Sequence, residues 1–332
     1  MIFQKEQKYR MKDQESIISG WGDNTVDPLV TIICTTFNHE GFISEALEGF
    51  LIQKTTFPFE IIVHDDASTD NTQNIIKDFV EKYPLIVKPI LQKKNQYSNK
   101  YVNIWSDFTF PKALGKYIAL CEGDDYWIDE LKLQKQVDFL ENNKEYVITW
   151  TDYLSKKGTE LLPNDFKETL PSVYTIDFDT IFQPYCTLTL TSVFKKDAVD
   201  PLDYKKFKYG KDNTLYALAL CHGKGAFMNF QAAVYRVHPG GVFSLKSTFF
   251  QRYSSYLNIK EIYDNIPQAR TKNIEKVMAS LLKASAFEAL KLRKTKEFQN
   301  LEEPKEAINE FLGKAGLSLK FKYLLKYIKL GF

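Results

Sequence analysis

Over roughly the first 240 residues, short runs of β-branched and aromatic residues alternate with longer stretches whose apolar positions recur every three or four places. That alternation predicts strands over 30–36, 60–64, 87–91, 116–121 and 146–151. Between them it predicts helices over 44–52, 69–82, 102–114 and 129–142. Ile43, Leu47, Phe50 and Leu51 line one face of the first helix, and Ile75, Ile76, Phe79 and Val80 line one face of the second. Ser68, Thr69 and Asp70 stand ahead of the second helix as capping residues. Strands interleaved with helices imply right-handed crossovers, and hence an α/β fold with a mainly parallel, Rossmann-like sheet flanked by helices.

Further along, 154–172 reads as a loop, and 175–182 fits neither period. Residues 187–194 alternate like a strand, a helix begins near Asp212, and 226–237 is extended. From about residue 250 the pattern is helical to the end. Residues 1–27 are polar and weakly patterned, so they are expected to form an N-terminal extension. The main domain then spans 28–245, with a helical C-terminal region over 246–332.

Bulk composition narrows the function classes. The chain has 332 residues, 44% of them hydrophobic, so it can bury a sizeable core. A net charge of only +2 argues against nucleic acid as a partner. Cys34, Cys121, Cys186 and Cys221 lie singly in apolar surroundings, which suits buried free thiols rather than a zinc site. The charged N-terminus lacks the apolar core of a signal peptide, and no apolar stretch matches a transmembrane helix. A cytoplasmic location is therefore expected.

The tail qualifies that picture. Leu317, Phe321, Leu324, Leu325 and Ile328 share one helical face, while Lys322, Lys326 and Lys329 share another. A basic amphipathic helix of this kind suits peripheral attachment to the inner face of an anionic membrane, and it equally suits a terminal helix packed on the body.

Two acidic clusters carry the candidate chemistry: Asp65-Asp66-Ala67-Ser68-Thr69-Asp70 and Glu122-Gly123-Asp124-Asp125-Tyr126-Trp127. Each follows an apolar strand. Carboxylates at strand ends in an α/β domain point into the crevice where such sheets bind ligands. Gathered there, they repel one another unless a cation or polar ligand compensates. A nucleotide with a divalent metal would do so. At the first strand's exit, Phe37 could stack on a flat base while Thr35 or Asn38 bonds its edge; a capped turn is the plainer reading. Asp66 could accept from a ring N–H of a pyrimidine. Of Asp124 and Asp125, one carboxylate could bind ribose hydroxyls and the next a hard cation, Mg²⁺ or Mn²⁺. A pair of solvated turn aspartates is the alternative.

As an ordered set, these segments resemble the inverting family 2 glycosyltransferases of the GT-A fold. The resemblance runs from Pro28 to about Ser244. It includes Thr35-Thr36-Phe37-Asn38, both acidic clusters, Gly210-Lys211-Asp212 and Tyr235-Arg236-Val237-His238-Pro239-Gly240-Gly241. Phe37 departs from it, standing where the family more often has tyrosine.

The resemblance implies roles. Thr35, Phe37 and Asp66 would cradle the nucleobase, and Asp124 would bind the ribose or assist the metal. Asp125 would be the main metal ligand. Asp212 aligns with the catalytic base, and His238 would touch the metal or the diphosphate. Arg236 is a weaker candidate for the diphosphate. The implied reaction moves a sugar from a nucleotide-sugar, UDP-linked by preference, to a saccharide or lipid-linked acceptor in surface polysaccharide or glycolipid synthesis.

A sugar nucleotidyltransferase would need a glycine-rich basic loop after the first strand. Phe37-Asn38-His39-Glu40-Gly41 has one glycine and an acid. A nucleotide-sugar or saccharide-binding module without catalysis is the other alternative, against which the retained Asp125 and Asp212 argue.

Overall fold

The computed structural model describes residues 11–22, 27–99, 102–241, 246–292, 302–316 and 320. The chain divides into two compact units. Residues 1–206 and 218–237 make the first, and residues 207–217 and 238–332 make the second.

The first unit is built on a ten-stranded sheet. Its strands are β1 (Val30–Thr36), β2 (Phe59–Asp65), β3 (Val87–Leu91), β4 (Tyr117–Leu120), β5 (Tyr126–Trp127), β6 (Tyr146–Lys157), β7 (Glu160–Pro163), β8 (Val173–Ile176), β9 (Val193–Lys195) and β10 (Lys224–Val237). Their order is β3-β2-β1-β4-β9-β6-β10-β5, with β7 paired to β6 and β8 to β10. β3, β2, β1 and β4 run parallel. β9 is antiparallel to both β4 and β6, so β6 and its parallel neighbour β10 run the same way as β4. The mainly parallel sheet expected from the alternation is therefore present, interrupted by β9 and trimmed by the short antiparallel β5, β7 and β8.

β2 and β4 are buried along their whole length, and β1 nearly so. That is the pattern of strands covered on both faces. The covering helices of this unit include α2 (Ile43–Leu51), α3 (Thr72–Lys82) and α4 (Lys132–Asn142). α2 contributes Ile43, Leu47 and Phe50, and α4 contributes Leu133, Val137 and Leu140, to one core with Ile32, Ile61 and Ala119. Each fully buried aliphatic side chain of this kind stabilises the fold by roughly 1.5–3 kcal/mol before entropy is counted. Register places the carboxyl ends side by side: Thr36 lies opposite Asp65, and Ile33 opposite Leu120.

Several expectations change. Part of the segment expected as an extension forms α1 (Gln14–Ile18), whose Ile17 joins the core. Gln14 accepts a hydrogen bond from the Leu85 N–H, and the Tyr83 hydroxyl donates to the Lys12 carbonyl. The helix expected over 102–114 is instead a π turn at Trp105–Thr109 followed by a 3₁₀ turn at Phe110–Lys112. Pro111 removes an amide donor there. The expected loop 154–172 holds the end of β6 and all of β7, joined through Gly158 at a left-handed φ of 61°. Within 187–194, only Val193 and Phe194 belong to a strand. Thr191 and Ser192 turn their hydroxyls back onto the carbonyls of Leu188 and Thr189 and close a 3₁₀ turn. Two short helices, α5 (Phe166–Thr169) and α6 (Pro201–Tyr204), complete this unit's connections.

α7 (Asp212–Leu220) begins in the second unit and ends in the first. Among the described residues, the long helices of the second unit are α8 (Thr248–Asn265), α9 (Lys272–Leu292) and α10 (Glu303–Lys314). Phe249, Tyr253, Tyr256, Leu282, Ala286, Leu290 and Phe311 form its own core. Rings stack along α8, Phe249 on Tyr253 at 5.5 Å and Tyr253 on Tyr256 at 6.0 Å. The basic amphipathic tail lies outside the described residues apart from Lys320. Among the described residues no helix is long and apolar enough to cross a membrane.

Candidate functional site

The turns that leave β1 and β2 are laced together. Asn38 N–H donates to the Ser68 hydroxyl at 2.8 Å, and the Asn38 carbonyl oxygen of its side chain accepts from the Thr69 N–H at 2.8 Å. His39 N–H donates to the Thr72 hydroxyl, Glu40 N–H to the Asp70 carboxylate, and Asn71 N–H to the Glu40 carboxylate. Asn38 and Ala67 sit at left-handed φ values of 54° and 65°. Non-glycine residues adopt that region only under local constraint, and these cross-bonds supply it. Fully buried Asp65 accepts from the Ser68 N–H and hydroxyl and from Gln73 Nε2. Asp65, Ser68 and Asp70 therefore hold the turns in shape.

Three of the residues singled out in the sequence stand on this frame. Phe37 leaves 42% of its surface open at the strand exit. Thr35 is half-buried one residue before the end of β1, and its carbonyl accepts the Gly123 N–H at 2.9 Å. Asp66 is buried, and its two carboxylate oxygens accept the backbone N–H groups of Gln96 and Tyr97 at 2.7 and 2.9 Å.

The second acidic cluster follows β4 at the same sheet edge. A Cβ on Gly123 would lie 2.6 Å from Thr36 Oγ1, so only glycine lets this turn rest on the end of β1. Asp125 is 3% exposed, and one of its oxygens accepts the Arg236 N–H at 2.7 Å. Burial, with Asp124 and Glu122 beside it, pushes the Asp125 carboxyl well above the usual range. Asp124 is more open, with 21% of its side chain exposed, and lies 3.7 Å from His39 Nε2. His39 Nδ1 is in turn 3.1 Å from the Thr36 hydroxyl.

The Arg236 guanidinium donates to the Asp124 carbonyl and to the Glu45 carboxylate. It lies over the rings of Tyr126 and Phe42, at 4.2 and 5.2 Å from their centroids. These bonds brace the acidic turn. Among the described residues no group of three His, Cys, Asp or Glu side chains forms a complete protein cage for a metal.

Asp212 and His238 belong to the second unit. Asp212 is the first residue of α7, partly buried, with its carboxylate accepting the Asn213 N–H at 2.9 Å. His238 follows β10 directly, and its Nδ1 accepts the Gly240 N–H at 3.2 Å. The structure thus gathers Thr35, Phe37, Asp66, Asp124 and Asp125 at one sheet edge, and it holds Asp212 and His238 in the other unit.

The family model described as glycosyl transferase family 2 matches residues 31–234, which begin in β1 and end in β10. The chain belongs to glycosyl transferase family 2. An uncharacterized protein of Mycobacterium tuberculosis is 43% identical over 121 residues, covering 36% of this chain and 33% of that relative. The chain thus aligns with only about a third of the length of that relative. Escherichia coli WfaP, named as a UDP-Glc:alpha-D-GlcNAc-diphosphoundecaprenol beta-1,3-glucosyltransferase, is 28% identical over 69% of this chain and 85% of its own. Among solved structures, S. aureus TarS 1–349 in complex with UDP-GlcNAc superposes with a TM-score of 0.64. It is 17% identical and covers 87% of this chain and 82% of its own. The mannosyltransferase PcManGT from Pyrobaculum calidifontis, solved with GDP-Man and Mn²⁺, gives a TM-score of 0.55 at 13% identity, covering 97% and 89%. These structural likenesses carry the GT-A type of fold.

Within this family 2 chain, sequence reasoning missed several supports of the site. His39 links Thr36 to Asp124, and nothing in the run Phe37-Asn38-His39-Glu40-Gly41 marks it for that. Glu45 carried no signal, because its partner Arg236 is 191 positions away. Gln96 and Tyr97 act on Asp66 through backbone N–H groups, which no side-chain motif encodes. Lys132 is fully buried with its ammonium 4.0 Å from the Trp127 ring centroid, and only its place in an otherwise amphipathic helix could have marked it.

Proposed function

We propose that this family 2 chain is an inverting glycosyltransferase that uses a nucleoside-diphosphate sugar, with UDP as the carrier, and a divalent cation. The acceptor is a saccharide or lipid-linked saccharide hydroxyl, and the product belongs to a surface polysaccharide or glycolipid. The observation that carries this reading is the sheet edge where exposed Phe37, buried Asp66 and the Asp124–Asp125 pair stand on cross-bonded turns. The activity named for WfaP and the UDP-GlcNAc bound to TarS support UDP as the carrier.

Phe37 stacks on the base while Thr35 and Asp66 hold its edge, and Asp124 takes the ribose hydroxyls. Asp125, packed beside Asp124 and Glu122, has a raised proton affinity that a divalent cation would relieve. The residues fit Mg²⁺ or Mn²⁺, which commonly takes one or two protein carboxylates and completes its shell with phosphate oxygens and water. Asp125 would be the main ligand, with His238 near the metal or diphosphate. When bound, the ion offsets charge growing on the leaving diphosphate. Asp212 accepts the proton of the acceptor hydroxyl as its oxygen attacks the anomeric carbon. The bond to the diphosphate breaks on the opposite face, so configuration inverts in one displacement.

The test is release of nucleoside diphosphate from a panel of nucleotide-sugars, with Mn²⁺, Mg²⁺ or chelator. Wild type should cleave a UDP-sugar only with metal, and Asp125→Ala should lose about 100-fold or more. Equal turnover in chelator, or an Asp125→Ala protein as active as wild type, would overturn the metal assignment. Retained anomeric configuration in the product would overturn inversion.

A further inference from the structure

The segment that carries Asp212 is gripped from one side by α8, entirely within the second unit. Three α8 residues, Ser254, Asn258 and Glu261, fall four and three positions apart and so share one helical face. Glu261 accepts two consecutive backbone N–H groups, Lys208 on Oε1 and Tyr209 on Oε2, each at 2.7 Å. Asn258 is fully buried, and its amide nitrogen donates to the Tyr209 carbonyl at 2.9 Å and to the Thr214 hydroxyl at 2.8 Å. Ser254 accepts from Lys211 Nζ at 2.9 Å. Asn258 therefore bridges a residue three places before Asp212 and one two places after it. Ser254 reaches the residue immediately ahead.

We infer that Glu261 and Asn258 are positioning residues for Asp212, holding the backbone ahead of the proposed base and the Thr214 side chain after it from α8. The inference rests on the reading of Asp212 as the base. An amide with both donors engaged and a carboxylate taking two N–H groups restrain the path of the chain here: three of the bonds hold backbone groups of Lys208 and Tyr209, and the fourth holds the Thr214 side chain. The neighbouring face of the same helix, Phe249, Tyr253 and Tyr256, is locked into the aromatic core of the unit. α8 thus transmits the rigidity of that core to the start of α7. A general base displaced by about 1 Å loses on the order of 100-fold in rate, whereas nucleotide affinity has no reason to follow.

The experiment uses the full chain with UDP-glucose and UDP-N-acetylglucosamine as donors, Mn²⁺, and UDP as the binding probe, well below the onset of unfolding. Asn258→Ala and Glu261→Ala should lower kcat about 10- to 100-fold, with donor KM and UDP affinity within about twofold of wild type. Glu261→Gln keeps one acceptor oxygen for one of the two N–H groups and should recover part of the loss; it also serves if the alanine variants fail to fold. Wild-type kcat in all three variants would overturn the inference. So would a fall in UDP affinity matching the fall in kcat, since that marks general loosening.

Asp212→Asn, run in parallel, separates the two readings. If it is inactive while the α8 variants turn over normally, only the positioning role fails. If it is as active as wild type, or if wild type turns over neither donor, the catalytic reading fails and takes the inference with it.

Discussion

Phe37 directly follows a strand whose residues are mostly enclosed, yet its ring stays open beside turns that hydrogen bonds hold still. An open ring on a fixed backbone costs little to order when a base stacks on it. Base–aromatic stacking is worth about 1–3 kcal/mol, so Phe37→Ala should weaken UDP binding by about tenfold or more. Phe37→Tyr, which keeps the ring, should stay within about threefold. Titration calorimetry with UDP decides it, and unchanged affinity in Phe37→Ala would remove the ring from the site. The neighbouring Asp66 differs in kind. Its carboxylate is already bonded to two backbone N–H groups, so it fixes residues 96 and 97 as well as offering lone pairs to a ligand.

At the scale of elements, α4 carries an unusual cost. Lys132 is fully buried under the Trp127 ring, its ammonium makes no hydrogen bond among the described residues, and burial pushes its pKa down to about 7. Cys121 and Asp129 act in the opposite direction, raising it. Between pH 10.5 and about 7 the unfolded chain holds a proton that the folded chain lacks, so stability falls as pH falls through that window and levels off below it. Lys132→Met should therefore be more stable than wild type at pH 7, by an amount that shrinks toward about pH 9.5. Denaturant unfolding at the two pH values measures this. A methionine variant less stable at both would mean that the cation–ring contact outweighs desolvation.

How well each element could be read followed from what fixes it. β1 and β3 were legible to the residue; β1 is rich in β-branched residues, and β3 ends in Ile90 and Leu91 just before the polar run that begins at Gln92. The 102–114 segment was not, because Pro111 and a crowd of aromatic side chains override the helical spacing. The acidic turns were visible as motifs. Their supports, Glu45 under Arg236 and the amides under Asp66, are long-range or backbone contacts that no local pattern records.

For the whole molecule, nucleotide binding should be felt at the turns that follow β1, β2 and β4 and not in α9 and α10. Saturating UDP with Mn²⁺, at about 100 times its Kd, should add about 2.7 kcal/mol to the unit that binds it. In hydrogen exchange, new protection should gather at 35–39, 65–70 and 122–127, while α9 and α10 stay unchanged. Protection confined to α9 and α10 would place the nucleotide elsewhere. The chain passes between its two units at 206–207, 217–218 and 237–238, so the second unit is made of two separated stretches. In heredity, that arrangement resists exchange. An exchange of the stretch from residue 238 onward would bring α8 but not the 208–214 segment that Glu261 and Asn258 hold. A chimera of relatives joined between the two stretches should lose the fit of that grip.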